Sequence, residues 1–308
     1  MTQPNSWTIP HLPVAGYAWE VADPAGAVLL THALAEYAQR YQDRYHCLIP
    51  ALNAAGYSVY SYDLRGHGAS PGEVSMVDAF VQVDDHLAAR AALRERCPDL
   101  PLYLFAHSAG ALFTAGSVMA DPQGISGVIL SSPMLQAGQD QIALVRHLLP
   151  LASKLAPGLA IVPINKAGLS RLPEEVAAYQ ADERIYQGQV TLLTASTMMQ
   201  LSQQLWPTYS NWALPTLVFY GTGDQVSYMD GLPDFVAQLH TPDKALKVFK
   251  GGYHELLNDC DREEVLALIL DWLWERRPVK DPGNEQMQHN LGRLARLRQR
   301  RQGIRGSA

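Results

Sequence analysis

The stretch Phe105-Ala-His-Ser-Ala-Gly-Ala111 decides how this chain is read. An apolar run, Pro101 to Phe105, leads into it, and an Ala/Leu/Phe/Thr/Val run follows. The pattern predicts a strand, a corner at Ser108 and a helix from Ala109 to about Ala120. Small residues, Ala106 and Gly110, stand two positions to either side of the serine, where larger side chains would collide in so tight a turn. Such a corner lifts a serine oxygen above a sheet and sets it at a helix N-terminus. There the Ala109 N–H and the helix dipole favour developing negative charge.

The rest of the chain supplies a sheet for that corner. Strand-like runs occur at Ala27–Thr31, Tyr57–Tyr62, Leu102–Phe105, Gly127–Leu130, Thr216–Tyr220 and Leu246–Phe249. Helical stretches at Glu36–Ala55, Met76–Cys97 and Arg262–Trp274 alternate with them. Strands apolar on both faces alternating with helices predict a mostly parallel sheet flanked by helices. Trp7–Ile9 and Tyr17–Val21 are candidates for antiparallel strands at one edge. Between the sixth and seventh strands, residues 136–208 show helical segments (about 140–156, 173–181 and 190–205) and no convincing strand. They are expected to form a helical lid. The expected division is therefore a core of 1–135 and 209–277, a lid of 136–208, and a tail of 278–308.

The totals exclude several classes. The 308 residues carry a formal net charge of −6. Residues 276–308 hold nine Arg/Lys against two acids, a net +7, so the other 275 residues stand at −13. Phosphate repulsion from so acidic a body argues against nucleic acid as a partner. The basic tail is expected to be solvated, with weak contact to an anionic membrane surface as the other reading. Apolar runs fall short of the ~18–20 residues of a membrane span. Met1–Trp7 has no secretory-leader pattern. Cys47, Cys97 and Cys260 follow no metal or disulfide spacing and are expected to be buried thiols, in the cytoplasm. No dinucleotide, phosphate-loop or zinc motif is visible, so no cofactor and no metal is expected.

A serine hydroxyl becomes a nucleophile when a neutral imidazole takes its proton and a carboxylate orients that imidazole. His254, in the loop Lys250-Gly-Gly-Tyr-His-Glu255, is the candidate base. Asp224, in Gly221-Thr-Gly-Asp-Gln225 after a strand, is the candidate acid, ahead of Asp230, Asp259 and Asp261. The chain order Ser, Asp, His fits a strand–serine–helix hydrolase. The oxyanion donors are expected to be the backbone N–H groups of Ala109 and Leu34, the latter in the loop after Thr31.

Four segments together resemble serine hydrolases of the α/β-hydrolase fold, in particular the monoacylglycerol lipase and lysophospholipase-like group. His32-Ala-Leu-Ala-Glu-Tyr-Ala-Gln-Arg-Tyr41 is similar to that group's H-G-x-x-E-H-x-x-R-Y segment. Tyr62-Asp-Leu-Arg-Gly-His-Gly-Ala-Ser70 is similar to its D-x-x-G-H-G-x-S loop. Ala106–Gly110 resembles its nucleophile elbow, and Leu169–Pro173 with Tyr179 and Asp182 resembles part of its lid. The resemblance spans roughly residues 14–275. It implies Ser108 as nucleophile, Asp224 as acid, His254 as base, and Leu34 and Ala109 as oxyanion donors. Ala33 and Ala106 replace the group's usual glycines, and Tyr37 replaces its second histidine.

The expected reaction is acyl transfer through an acyl-enzyme on Ser108, with single-chain esters such as monoacylglycerols or lysophospholipids as substrates. Ten bulky apolar residues between Ile142 and Val162 predict an acyl tunnel beneath the lid. His107, Leu148, Leu149 and Val226 are the expected substrate-lining residues. A proline-iminopeptidase-type peptidase, with lid acids Glu174, Glu175, Asp182 and Glu183 holding a free amine, or an acyltransferase, is the alternative on the same machinery. A non-catalytic binding protein is the alternative of another class.

Overall fold

Apolar strands buried on both faces build the centre of this molecule, and their connections decide where the loops converge. The computed structural model describes residues 3–74, 76–137 and 143–278. The first half runs β1 (Asn5–Ser6), β2 (Gly16–Trp19), β3 (Gly26–Thr31), α1 (Arg40–Asp43), α2 (Leu48–Ala54), β4 (Tyr57–Tyr62), α3 (Ala79–Arg96), β5 (Leu102–His107), α4 (Ala109–Ala120) and β6 (Gly127–Ser131). An insertion follows, with α5 (Ala143–Leu155), β7 (Ala160–Pro163), α6 (Pro173–Ala181), β8 (Gln189–Thr191) and α7 (Leu192–Leu205). The sheet then resumes with β9 (Thr216–Gly221), α8 (Leu232–Gln238), β10 (Lys244–Phe249) and α9 (Arg262–Glu275).

The main sheet has eight strands in the order β1-β2-β4-β3-β5-β6-β9-β10. β1–β2 and β2–β4 are antiparallel, and every other pair is parallel. Along each parallel strand the side chains alternate between two cores. Leu104, Val128 and Val218 pack towards α3, α4 and α8. Phe105, Ile129 and Phe219 pack towards α2 and α9. This two-sided burial is why the strands read as unbroken apolar runs. From β3 the chain moves outward to β4, then crosses back to β5 on the other side of β3. The order reverses there, so the loops after β3 and β5 part and leave a crevice at the strands' carboxyl ends.

Several expectations about secondary structure change. The edge strand expected at Trp7–Ile9 lies at Asn5–Ser6 instead. The helix expected over Glu36–Ala55 is broken into α1, a 3-10 turn at Tyr45–Cys47 and α2. Tyr45, His46 and Cys47 all have φ near +50°. The break turns the Tyr45 amide to Asn258 Oδ1, 2.5 Å away, and its hydroxyl to Glu36 Oε2, 2.9 Å away. Tertiary partners thus override local helix preference.

The insertion also holds strands where none was expected, since β7 and β8 pair antiparallel around Val162 and Val190. Its last helix packs directly on the core. Met198 and Leu201 of α7 are buried in the α3–α4 layer, and Thr194 and Thr197 accept from the Val77 and Ala79 amides at 3.0 and 3.1 Å.

The cysteines also differ from expectation. Cys47 and Cys260 are exposed and Cys97 is half-buried, all three unpaired. The basic tail lies outside the described residues. Among the described residues no helix is long and apolar enough to cross a membrane.

Candidate active site

Ser108 leaves β5 and caps α4 with φ 54° and ψ −121°, a conformation that L-residues rarely adopt. Such strain costs about 1–3 kcal/mol and persists only where the surroundings dictate it. Here the Ser108 N–H donates to Ser131 O at 3.0 Å, and its carbonyl accepts from Met134 N at 3.1 Å. The glycine two positions on is required by space. A Cβ on Gly110 would lie 2.4 Å from His32 O and 2.7 Å from Thr31 O, both backbone atoms. Ala106 is fully buried in the strand before the corner, so its methyl group fits there.

The three distant side chains meet. Ser108 Oγ–H donates to His254 Nε2 at 2.8 Å, and His254 Nδ1–H donates to Asp224 Oδ2 at 2.6 Å. Asp224 Oδ1 accepts from the Val226 and Ser227 amides at 2.8 and 3.1 Å, which fixes the carboxylate. His254 is held from both sides, its carbonyl accepting from Ser132 Oγ at 2.7 Å and its amide donating to Gly168 O at 3.3 Å. Burial alone would lower the pKa of His254, but the adjoining Asp224 carboxylate outweighs it and raises it above 6.5. Asp224 is lowered: burial pushes it up, and the His254 charge and its hydrogen bonds pull it further down. Two of the rival acids, Asp259 and Asp261, are engaged elsewhere. Asp259 accepts from Tyr253 N and pairs with Arg171, and Arg171 also reaches Asp261 at 2.5 Å.

Between β3 and α1 the amides on either side of Leu34 are tethered and the Leu34 amide is not. His32 Nε2 accepts from Leu64 N at 3.0 Å, so its Nδ1–H donates to Ala33 O at 2.7 Å. The Ala33 amide donates to Glu36 Oε1 at 2.8 Å, and the Ala35 amide to His67 Nε2 at 3.0 Å. His67 is held neutral, burial pushing it down to about 3. The Leu34 N–H and the Ala109 N–H have no hydrogen-bond partner among the described residues. Both residues, with Ser108 and His254, border one cavity.

That cavity has a volume of about 670 Å³. Met134, Leu149, Ile161, Val162, Met198 and Met199 form much of its apolar wall, while Glu36, Glu255 and Tyr179 supply polar surface. The expected lining residues divide. Leu149, Val226 and His107 border the cavity, and Leu148 does not. Leu148 is 54 % exposed, because neighbouring positions on α5 point to different sides and Leu149 takes the inner one. His107 Nδ1 bonds to Ser131 O at 3.0 Å, and its ring centroid lies 4.9 Å from that of His254. Burial pushes His107 down to about 4. The acids Glu174, Glu175, Asp182 and Glu183 of the insertion do not border the cavity.

Sequence reasoning did not single out a buried ionic cluster beside the site. Arg40 Nη1 donates to Glu36 Oε2 at 2.6 Å and to Glu255 Oε1 at 2.8 Å, and Nη2 to Glu255 Oε2 at 2.9 Å. Tyr41 and Tyr45 hydroxyls donate to Glu36, and Asn258 Nδ2 donates to Glu255. Burial would raise the Glu36 pKa, but Arg40 beside it holds it down at about 2. The cluster ties the loop carrying Leu34 to the loop carrying His254. The one available signal was charged residues at 36 and 40 within an apolar surrounding.

A hydroxyl bonded to a neutral imidazole, which is bonded to a carboxylate, beside two free backbone donors, can perform acyl transfer. Comparison with known proteins points the same way. Residues 22–261 match the family model described as serine aminopeptidase, S33 (Hydrolase_4). A monoacylglycerol lipase of Mycolicibacterium smegmatis is 31 % identical over 252 residues, covering 82 % of this chain and 89 % of the relative. The monoglyceride lipase of Homo sapiens is 26 % identical over 257 residues, covering 82 % of this chain and 84 % of that one. Among solved structures, the monoacylglycerol lipase of Paleococcus ferrophilus superposes with a TM-score of 0.74 at 27 % identity, over 84 % of this chain and 98 % of that chain.

Proposed function

The chain belongs to the serine aminopeptidase, S33 family and is a serine ester hydrolase of the α/β-hydrolase fold, and from that premise we propose that it cleaves single-chain acyl esters of the monoacylglycerol type, with Ser108, His254 and Asp224 as its catalytic triad. The observation that carries this reading is the unbroken path Ser108 Oγ to His254 Nε2 to Asp224 Oδ2, at 2.8 and 2.6 Å, on the border of a largely apolar cavity.

In the proposed mechanism the Ser108 oxygen adds to the ester carbonyl carbon while its proton passes to His254 Nε2. The carbonyl π pair moves onto the oxygen, which the Leu34 and Ala109 N–H groups receive. The tetrahedral intermediate collapses, the C–O bond to the alcohol breaks, and His254 protonates the leaving oxygen. Water then gives its proton to the same imidazole, adds to the acyl carbon and frees the acid, returning the proton to Ser108. Asp224 keeps His254 in the tautomer with Nδ1–H and stabilises the imidazolium.

The substrate class rests on the cavity and on the names of the relatives. An acyl chain fits the Met134, Met198 and Met199 wall, which flexible methionines can adapt to. We assign residues 136–208 the role of a lid. Leu148, Leu151 and Leu155 are exposed on its helix α5, an apolar face suited to aggregated lipid. We assign the enzyme to the cytoplasm, a reducing compartment in which three free thiols would stay reduced.

Amide cleavage is disfavoured by how the cavity's carboxylates are engaged. Glu36 and Glu255, which border it, accept hydrogen bonds from Arg40, from the Tyr41 and Tyr45 hydroxyls and from Asn258, so neither presents an unengaged carboxylate to a substrate amine. A panel of 1-monoacylglycerols, p-nitrophenyl acetate and an aminoacyl p-nitroanilide tests the proposal. Medium-chain monoacylglycerol is expected to show a kcat/KM at least ~10-fold above the acetate, since each buried CH₂ contributes about 0.8 kcal/mol. Equal values, or preferred cleavage of the anilide, would refute the substrate assignment.

A further inference from the structure

The loop that carries the Leu34 amide is fastened to the insertion as well as to the core. Tyr186 N–H donates to Ala35 O at 2.8 Å. Ala35 has φ +72°, a left-handed conformation unusual for a residue with a side chain, so something must hold it. Two residues on, the buried Tyr37 hydroxyl donates a short hydrogen bond to Asp182 Oδ2 and accepts another from Arg184 Nη2. The Arg184 guanidinium also lies over the Tyr37 ring, 3.9 Å from its centroid. Burial, with Asp182 beside it, pushes the Tyr37 pKa up, so the hydroxyl keeps the proton it donates. Ile185 closes the contact by packing with Tyr37, Leu169 and Tyr179.

From the core side, His67 fixes the Ala35 amide and Glu36 fixes the Ala33 amide. The Ala35 carbonyl and the Tyr37 side chain face the insertion instead. Between these anchors stands Leu34, whose amide has no partner among the described residues. We infer that residues 182–186 form a clamp that positions the oxyanion-binding Leu34 amide, with Tyr37 and Asp182 as its positioning residues. The inference rests on the reading of Ser108 as nucleophile and deepens it. It makes the insertion part of the catalytic scaffold as well as a cover for the cavity. It also gives Tyr37, standing where the resembled group has a histidine, a defined task in this chain.

An oxyanion donor acts only when it is held where the charge develops, and a displacement of about 1 Å can cost ~100-fold. The test compares Tyr37→Phe and Asp182→Ala with the unaltered full chain, using a soluble p-nitrophenyl ester and an alkyl trifluoromethyl ketone. Ser108 Oγ adds to the ketone's carbonyl carbon, its proton passes to His254 Nε2, and the carbonyl π pair becomes an alkoxide in the oxyanion position. The expected result is a kcat lowered ~10–100-fold in both variants, with KM within twofold. The inhibition constant for the ketone rises by the same factor, and the double variant is no worse than the weaker single one. Thermal unfolding checks that each variant is folded. Asp182 is half-buried while Tyr37 is fully buried, so Asp182→Ala decides the matter should Tyr37→Phe not fold. A folded variant whose kcat stays within twofold of the unaltered enzyme overturns the clamp. So does a loss carried by KM alone with ketone affinity unchanged. Failure of the underlying reading would appear separately, as a ketone that does not inhibit the unaltered enzyme.

Discussion

Arg40 grips Glu255 with two parallel hydrogen bonds, Nη1 to Oε1 at 2.8 Å and Nη2 to Oε2 at 2.9 Å, and both side chains are buried. The same Nη1 also reaches Glu36, so one cation stands between two carboxylates taken out of water. Bidentate geometry of this kind is strong and directional. It also makes the cation indispensable, because removing it leaves two uncompensated charges next to each other. Arg40→Leu is therefore expected to lower the unfolding free energy by ~3–5 kcal/mol, measured in urea melts. A change below about 1 kcal/mol would mean that the cluster contributes little to folding.

The pH profile of kcat/KM follows from the direction of the His254 shift. His254 accepts the Ser108 proton only when neutral. Its pKa is raised above 6.5 by Asp224, so activity is expected to rise with pH through an inflection above 6.5 and then level off. His107 and His67, pushed down to about 4 and about 3, are already neutral across that range and cannot supply the inflection. Asp224→Asn removes the raising charge and leaves burial, so residual activity should show its inflection at lower pH than the unaltered enzyme. A soluble ester assayed across the range checks both. An inflection below 6.5 in the unaltered enzyme would contradict the assignment.

Two small residues at the serine corner are expected to behave differently. Gly110→Ala drives a methyl group against His32 O and Thr31 O, backbone atoms that cannot rotate aside. It should destabilise the fold by ~1–3 kcal/mol and abolish activity by displacing the loop that bears Leu34. Ala106→Gly only adds backbone freedom in a strand. Its expected loss is about 0.5–1 kcal/mol, with activity retained. Melting curves and ester turnover on the two variants distinguish them.

What could be read in advance follows from how local each signal is. The strand at Leu102–His107, Ser108 and helix Ala109–Ala120 were legible because burial on both sheet faces leaves an apolar run, and because only small residues flank such a corner. The meeting of Ser108, Asp224 and His254 was legible from chain order, each following a strand of one parallel sheet. The break at Tyr45–Cys47 was not, since its causes are Asn258, far along the chain, and Glu36, nine residues back and beyond the reach of i, i+3 or i, i+4 contacts. The β7–β8 pair escaped notice because its strands are four and three residues long and 25 residues apart, with Pro163 in the first of them and Pro173 between. Leu148 and Leu149 are alike in composition, and only the rotation of α5 decides which one borders the cavity. The clamp at Tyr37 looked like a departure from a motif until Asp182 and Arg184 were seen beside it.

Labelling with a fluorophosphonate, followed by intact-mass and peptide analysis, tests the central claim most directly. The account predicts one adduct per chain, on Ser108, formed in step with the loss of ester turnover. Ser108→Ala should form no adduct, unfold at the same temperature, and turn over ester at least ~10³-fold more slowly. An adduct on another residue, or near-normal turnover by a folded Ser108→Ala protein, would contradict it.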